Sequence, residues 1–292
     1  MIYMNAFIRF FALLSAFFTI IFSPSTTYEK KGEVTVLTYN ILYDKLTDSR
    51  LHGVTELIRE ASPDSFGCQE VKPMSKQYLT DAFGEYDSFF VSDETSDVQY
   101  NALFWRKDRF TAVEKKSVFL SKTPDKPSTG WDARDRRMLQ WVVLQDKETG
   151  CRYVHANTHL DNVGNEAKNE SVKLIEKYLG GYDCPVVVSG DFNCRSTGTP
   201  IKNFLSMGWQ NTMNMSGISS STDTYHGYAD KDKKKSPIDY IFVKGAFGAS
   251  EWTINRGQLD GQYPSDHFPL SVRVCFDYTI TAKQNYRWLK QQ

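Results

Sequence analysis

The chain lacks any cluster of cysteines and histidines at zinc-ligand spacing, which argues against a structural or catalytic zinc. It carries no surplus of charge: 35 basic residues balance 35 acidic ones. Proteins that wrap long nucleic acid usually have a basic excess, so this balance weighs against a polynucleotide as the main partner while leaving room for a local basic groove. No internal repeat or low-complexity tract is present, which sets repeat architectures aside. Cysteines are few and odd in number, five in all, so they cannot all pair within the chain.

Near the N-terminus, Arg9 is followed by an uncharged run of 13 residues over 10–22, rich in Phe, Leu and Ile, and then by Ser23-Pro24-Ser25-Thr26-Thr27. A membrane span needs about 20 apolar residues, so 1–27 fits a cleaved secretory signal peptide better. The alternative is a retained signal anchor, with 6–8 lengthening the run. The expected location is therefore secreted or in the secretory-pathway lumen, or else membrane-tethered. Export permits disulfides, and Cys151 and Cys184 are a candidate pair because both enter what read as neighbouring parallel strands. The other reading leaves all five cysteines as small buried hydrophobes. Asn169-Glu170-Ser171 and Asn214-Met215-Ser216 are acceptor sequons if the compartment glycosylates.

At 292 residues with 40% hydrophobic and 14% aromatic content, one domain of two sheets, roughly 250 residues, can bury its own core. The chain is organised around Cys184-Pro185-Val186-Val187-Val188-Ser189-Gly190-Asp191-Phe192-Asn193, where three valines predict a strand covered on both faces. If extension continues past Gly190, Asp191 and Asn193 face one spot; otherwise an Asx turn closes the strand. Gly190 lets the backbone approach whatever sits there. Further strands are predicted over 33–41, 65–71, 86–91, 101–105, 110–119, 138–146, 152–160, 237–243 and 271–275, and helices over 50–61, 76–83, 165–179 and 203–207. The 152–160 strand, the 165–179 helix and the valine strand make a βαβ unit, so their polar ends lie side by side. The loop over 123–136 is either disordered or a binding rim, with Arg134, Arg136 and Arg137 crowding its end. The run 231–235 reads as a basic hairpin tip, and Asp239, set among apolar neighbours, needs a partner if buried.

The polar strand ends are Asn40, Glu70, His159, Asp191, Asn193, Asp239, Asp266 and His267. They sit in Thr38-Tyr39-Asn40-Ile41, Gln69-Glu70, Thr158-His159-Leu160, Gly190-Asp191-Phe192-Asn193, Ile238-Asp239-Tyr240-Ile241 and Ser265-Asp266-His267. In this order the chain resembles the endonuclease/exonuclease/phosphatase superfamily, whose fold is that of deoxyribonuclease I. The likeness spans 34–276. It is closest to the exported phosphoesterases of that superfamily at Asn101-Ala102-Leu103-Phe104-Trp105-Arg106-Lys107-Asp108-Arg109-Phe110, Gly130-Trp131-Asp132-Ala133, Thr224-Tyr225-His226-Gly227 and Tyr263-Pro264-Ser265-Asp266-His267-Phe268-Pro269. The chain departs at Asp135-Arg136-Arg137-Met138, where such relatives tend to have Pro-Arg, and at Leu42, where many have Arg. Both departures bear on substrate more than on a metal centre. The resemblance implies an α/β fold, a four-layer αββα sandwich of two mixed β-sheets, with a catalytic domain over 32–278 and a tail over 279–292.

Phosphate oxygens repel a nucleophile, so hydrolysis needs positive charge on them and a positioned water. Glu70 beside Asn40 suits a hard divalent ion, Mg2+ or Mn2+, which takes oxygen ligands. The resemblance implies that Asp191 activates the water, Asn193 holds phosphate or water, and His267, kept cationic by Asp266, binds the non-bridging oxygens. It also implies that Asp266 reaches the metal through water, that His159 contacts phosphate, and that Asp239 orients the network. Arg137 is a further phosphate contact by its guanidinium fork. Tyr100, Asn101, Trp131, Asp161 and His226 are candidate substrate walls. The function expected is divalent-metal-dependent hydrolysis of a compact phosphate ester outside the cytosol. The alternatives are a secreted nuclease, a membrane-tethered lipid phosphodiesterase and a catalytically dead binding protein. No obligate protein partner is indicated.

Overall fold

A computed structural model of the chain describes residues 27–44, 46–91, 100–218, 223–228, 237–246 and 248–281. The expected leader apart from Thr27, the tail beyond 281 and the basic tip over 231–235 lie outside the described residues. The compact body is Lys31–Asp277. Among the described residues, no helix is long and apolar enough to cross a membrane.

Two six-stranded sheets make up that body. The first has the order β11 (Gly248–Ile254), β12 (Leu270–Thr281), β1 (Thr27–Asn40), β2 (Ser65–Val71), β4 (Tyr100–Arg106), β3 (Tyr86–Val91). The second has the order β5 (Phe110–Phe119), β6 (Met138–Asp146), β7 (Arg152–His159), β8 (Val186–Asp191), β10 (Asp239–Lys244), β9 (Gln210–Asn211). Each sheet is mixed around one parallel pair, β1 with β2 and β7 with β8. Each parallel pair is joined by a crossover helix, Asp48–Ala61 in one case and Asn165–Leu179 in the other. The helix Pro73–Ala82 begins three residues before its predicted start, because proline at the first turn forfeits no helical hydrogen bond. The short strand Gly248–Ile254 and the helix Thr212–Met215 had no sequence signal strong enough to be anticipated.

Strand alternation sorts side chains into two kinds of layer. Even positions of β7 and β8 (Val154, Ala156, Val186, Val188) pack under the helix residues Val172, Ile175 and Leu179. On the first sheet, Leu37, Tyr39, Phe66 and Cys68 pack against Val54, Leu57 and Ile58 of their crossover helix. These two outer layers hold most of the apolar core. The opposite parity faces sheet to sheet and mixes buried apolar side chains, such as Val36, Leu103, Val142, Val187 and Ile241, with polar ones. There the buried Asn157 donates to Cys68 O (2.9 Å) and Ala102 O (3.0 Å) of the first sheet and accepts from Gln69 Nε2 (2.7 Å). Gln69 also donates to Thr38 Oγ1 (2.9 Å), His155 shares a 3.0 Å bond with Ser189 Oγ, and burial pulls His155 down to about 3, so it is neutral. At the far end Arg109 clamps the sheets through Asp64 (2.7 Å) and Asp146 (3.1 Å).

All five cysteines are free. The expected Cys151–Cys184 bridge is thereby corrected, and parity explains it. Val154 stands opposite Val186, so continuing the register sets Cys184 opposite Arg152 and leaves Cys151 facing the other side of the sheet. Asn169 lies within a helix, accepts from Asn203, and is followed by the buried Ser171, which makes that sequon a poor acceptor.

Replacing Asn157 with alanine leaves two buried carbonyls without their side-chain donor and should cost about 2–4 kcal/mol. Urea unfolding of the Asn157→Ala protein against the parent chain measures it.

Candidate active site

The C-terminal ends of the two parallel pairs lie together. His159 stands opposite Asp191 across β7 and β8, and Asp239 opposite Asp191 across β8 and β10, so three ionisable side chains share the inter-sheet face. Asp191 is the hub. Its Oδ2 receives the Asn40 amide (3.1 Å) from the other sheet and lies 3.5 Å from His159 Nε2 and 3.7 Å from His267 Nε2. Its Oδ1 accepts the Asn193 backbone N–H (2.8 Å). The chain therefore leaves the strand at Asp191 by an Asx turn, with Asn193 in left-handed backbone (φ 46), and the extended continuation does not occur. Asn193 Nδ2 donates to Leu160 O (3.0 Å) and meets His159 Nε2 (3.1 Å), while His159 Nδ1 is buried with no hydrogen-bond partner. What Gly190 approaches is a neighbouring strand: at φ 149 a Cβ there would lie 2.0 Å from Thr158 O.

Glu70 reaches the site by a device strand alternation does not predict. Phe66 and Cys68 face the helices, and a regular strand would send Glu70 the same way. Instead the register slips between Cys68 and Val71, and Glu70 takes φ 62. The bulge turns its carboxylate inward, where Oε1 accepts from Asn40 Nδ2 (3.1 Å) and Oε2 from Tyr43 N (3.1 Å). Asn40 shows both carboxylates its N–H, while its oxygen takes the Leu42 N–H (3.1 Å). The oxygen expected to bind metal is thus engaged within the loop.

His267 pairs through Nδ1 with Asp239 Oδ2 at 2.9 Å, and the expected pairing with its sequence neighbour Asp266 is corrected. Ser265 fixes the segment by donating to Asn40 O (2.6 Å) and accepting the His267 N–H (3.2 Å). Burial lowers His267, but Asp239, Asp191 and Asp266 outweigh it and raise it to about 10. Burial and then Asp239 push Asp191 up to about 7, against His267 and the Asn193 and Asn40 donors. Burial, then Arg137 and His267, hold His159 well below its ordinary value and neutral. With Nε2 against Asn193 and turned to Asp191, the His159 ring braces the hub.

Asp191, Asp239 and His267 bring ligand atoms within 4.8 Å of one another. A cation fits poorly between them, because His267 is itself the cation of that trio. The donor chemistry fits a hard divalent ion on the Glu70 and Asp266 side: all-oxygen donors, and four carboxylates (Glu70, Asp191, Asp239, Asp266) around one imidazolium, an excess of negative charge that would repel phosphate. Asp239 Oδ1 is also buried with no hydrogen-bond partner.

The sequence profile of the Endonuclease/Exonuclease/phosphatase family matches residues 37–267. The chain belongs to this family. It is a phosphoesterase of the family, whose enzymes typically depend on a divalent metal. A Bacteroides thetaiotaomicron protein of the endonuclease/exonuclease/phosphatase family superposes with a TM-score of 0.77 at 28% identity, covering 86% of this chain and 97% of that one. The mannosyl-6-phosphatase of the same organism gives 0.75 at 28%, covering 82% and 99%. TDP2 of D. rerio, complexed with a single-strand DNA product, gives 0.69 at 18%, covering 83% and 99%, a likeness of fold alone. A search of the sequence against curated proteins finds no match.

Around this family centre, several of the expected substrate walls make contacts that hold the fold together. Asp161 is buried and accepts four backbone N–H groups, from Arg134 (3.1 Å), Asp135 (3.0 Å), Val163 (2.9 Å) and Gly164 (2.7 Å). It ties the 131–137 loop to the turn after β7 and lies 3.8 Å from Arg137 Nε. Asn101 is buried and donates to Met138 O (3.1 Å), joining the sheets. His226 packs on Phe268 (4.3 Å) and meets Ser265 O (2.9 Å), inside the loop that holds His267. Trp131 is half-buried at φ 48 in the turn carrying Asp132, whose carboxylate caps the helix Asn165–Leu179 through Glu166 N (3.2 Å) and Ala167 N (2.7 Å). Tyr100 stands opposite Val71 beside the bulge, and its side chain is outside the described residues. Arg137 is buried near His159, within reach of the site. Sequence reasoning missed Tyr225, whose ring lies 4.9 Å from that of His267.

Asp161→Ala should strand four N–H donors and loosen the loop, at about 2–4 kcal/mol. The check is limited proteolysis, with new cleavage expected at 131–136.

Proposed function

We propose that the protein hydrolyses a compact phosphate monoester, such as a phosphorylated sugar, with Mg2+ or Mn2+, outside the cytosol. The observation that carries this reading is the Asp191 hub, a single carboxylate oxygen shared by Asn40 of one sheet, by His159 of the other and by His267 of the loop that leads into β12. The 28% identity to a mannosyl-6-phosphatase over 82% of the chain supports a small monoester, and the balanced charge agrees with it. The leader-like run over 10–22 supports export, and sequencing the mature N-terminus tests it, since an intact Met1 or Arg9 points to an anchor.

Asp191 takes a proton from the attacking water, with Asn40, Asn193 and His159 holding its orientation. Asp239 fixes the His267 ring and its charge, so Nε2–H faces the phosphate oxygens, with Arg137 as a second cationic contact. As the new P–O bond forms, the ester bond to the leaving oxygen breaks, and that oxygen takes up a proton. A cation at Glu70 and Asp266 would supply Lewis-acid charge on phosphate oxygens.

Phosphate release from a panel of sugar phosphates, nucleotides and nucleic acids, with Mg2+, Mn2+ or chelator, tests the reading. Chelator should abolish turnover, and Asp191→Ala should lower kcat by about 10²–10⁴-fold. Turnover indifferent to chelator, or confined to nucleic acid, would overturn it. The pH profile has a definite sign. Asp191 must be ionised, so kcat/KM should fall as pH drops through about 7, and His267 must be charged, so it should fall again as pH rises through about 10.

A further inference from the structure

We infer that Tyr225 is a substrate-contacting residue, the wall on which a ring-bearing leaving group of the phosphate ester packs; this rests on the phosphoesterase reading above. Most large aromatics among the described residues are buried, among them Tyr39, Tyr153 and Tyr240 at 1% exposure, whereas Tyr225 is 36% exposed. Yet it is firmly placed. Its backbone forms an antiparallel bridge with His267. Thr224 O accepts from Phe268 N (2.8 Å), and the N–H groups of His226 and Gly227 both donate to Asp266 O (2.9 and 3.1 Å), which staples the segment to the one that carries the imidazolium. The Tyr225 N–H is held by Asp223 Oδ1 (3.2 Å).

The ring is held on two sides. One is the His267 imidazole, at 4.9 Å between centroids and 55° between planes. The other is Gly227, at φ 60, where a Cβ would stand 3.0 Å from the Tyr225 hydroxyl oxygen, so glycine suits both the backbone and the place of the ring. Burial first, then the carboxylates of Asp266, Asp191 and Glu70, raise the hydroxyl's pKa, so the group at the cluster is a neutral phenol. The other exposed tyrosines nearby differ. Tyr43 has Lys72 Nζ over its ring (5.3 Å), and Tyr228 packs edge-on to His226 (5.6 Å). Among the described residues, Tyr225 is the aromatic that abuts the His267 imidazole with part of its surface open, so its free face borders the place a phosphate held by His267 would take. A flat or apolar ring face suits it, whether from a pyranose or from a nucleobase.

The test compares kcat/KM of the parent chain, Tyr225→Phe and Tyr225→Ala on a hexose 6-phosphate, a nucleoside 5′-monophosphate and glycerol 3-phosphate, which has no ring. Tyr225→Ala should lose about tenfold more on the preferred ring ester than on glycerol 3-phosphate, in line with the worth of one stacking contact, and Tyr225→Phe should keep the preference. Which ring ester suffers most tells sugar from base. Equal losses on all three esters would mean the ring only braces His267, and would overturn the inference. Calorimetric binding of the same esters and of inorganic phosphate to Asp191→Asn protein separates the two readings. Ring-selective binding that Tyr225→Ala abolishes, without turnover in the parent, sinks the hydrolase reading alone. Turnover without ring selectivity sinks only the inference, and absence of both sinks both.

Discussion

Everything at the mouth of the molecule depends on how one sheet is set against the other, and that setting is made by hydrogen bonds across a polar seam. Asn157 reaches two carbonyls of the facing sheet, and Gln69 reaches back to it. Apolar packing alone tolerates sliding, because it has no direction; hydrogen bonds at 2.7–3.0 Å do not. The seam residues stand one or two places before the functional ones on the same strands: Thr38 before Asn40, Gln69 before Glu70, Asn157 before His159, Ser189 before Asp191. A seam that fixes the first set fixes the second. The apolar layers outside, against the helices, and the apolar side chains between the sheets supply burial, and the polar groups set among the latter supply register.

The site built on this frame is a problem in charge. Four carboxylates converge around one imidazolium, and His159 is held neutral by burial. Asp239 stands opposite Asp191 in the ladder, so it raises the cost of ionising Asp191. The Asp239–His267 pair relieves part of that cost and at the same time keeps the imidazole charged. A proton acceptor with a raised pKa beside a fixed cation is an arrangement suited to moving one proton while holding an anion. The cation that family enzymes depend on would answer the remaining excess on the Glu70 side.

Several loops singled out in the sequence proved to be joints. Asp132 caps a helix whose own N-cap, Gly164, has no side chain to do it, and Asp161 gathers four N–H groups from two loops. His226 is an internal strut, while its neighbour Tyr225 meets His267. Polar residue types in a loop fit a joint and a binding wall equally well, and only the direction of each side chain tells them apart.

The sequence by itself determined most strands and helices, the parallel β7–β8 pair with its crossover helix, and the set of polar residues ending the strands, because alternation and helical period are local properties of the chain, while the two-sheet sandwich followed from the family resemblance. It also carried the membership of Asn40, Glu70, His159, Asp191, Asp239 and His267 in one cluster, through motifs in a fixed order. Tertiary structure alone decided the partners. His267 turned to Asp239, 28 residues away, instead of to adjacent Asp266; Glu70 was swung inward by a bulge; and Cys151 and Cys184 fell on opposite faces of one sheet. The physical reason is that side-chain direction at a strand end depends on backbone angles such as the φ of 62 at Glu70, which neighbouring strands impose and residue type does not encode.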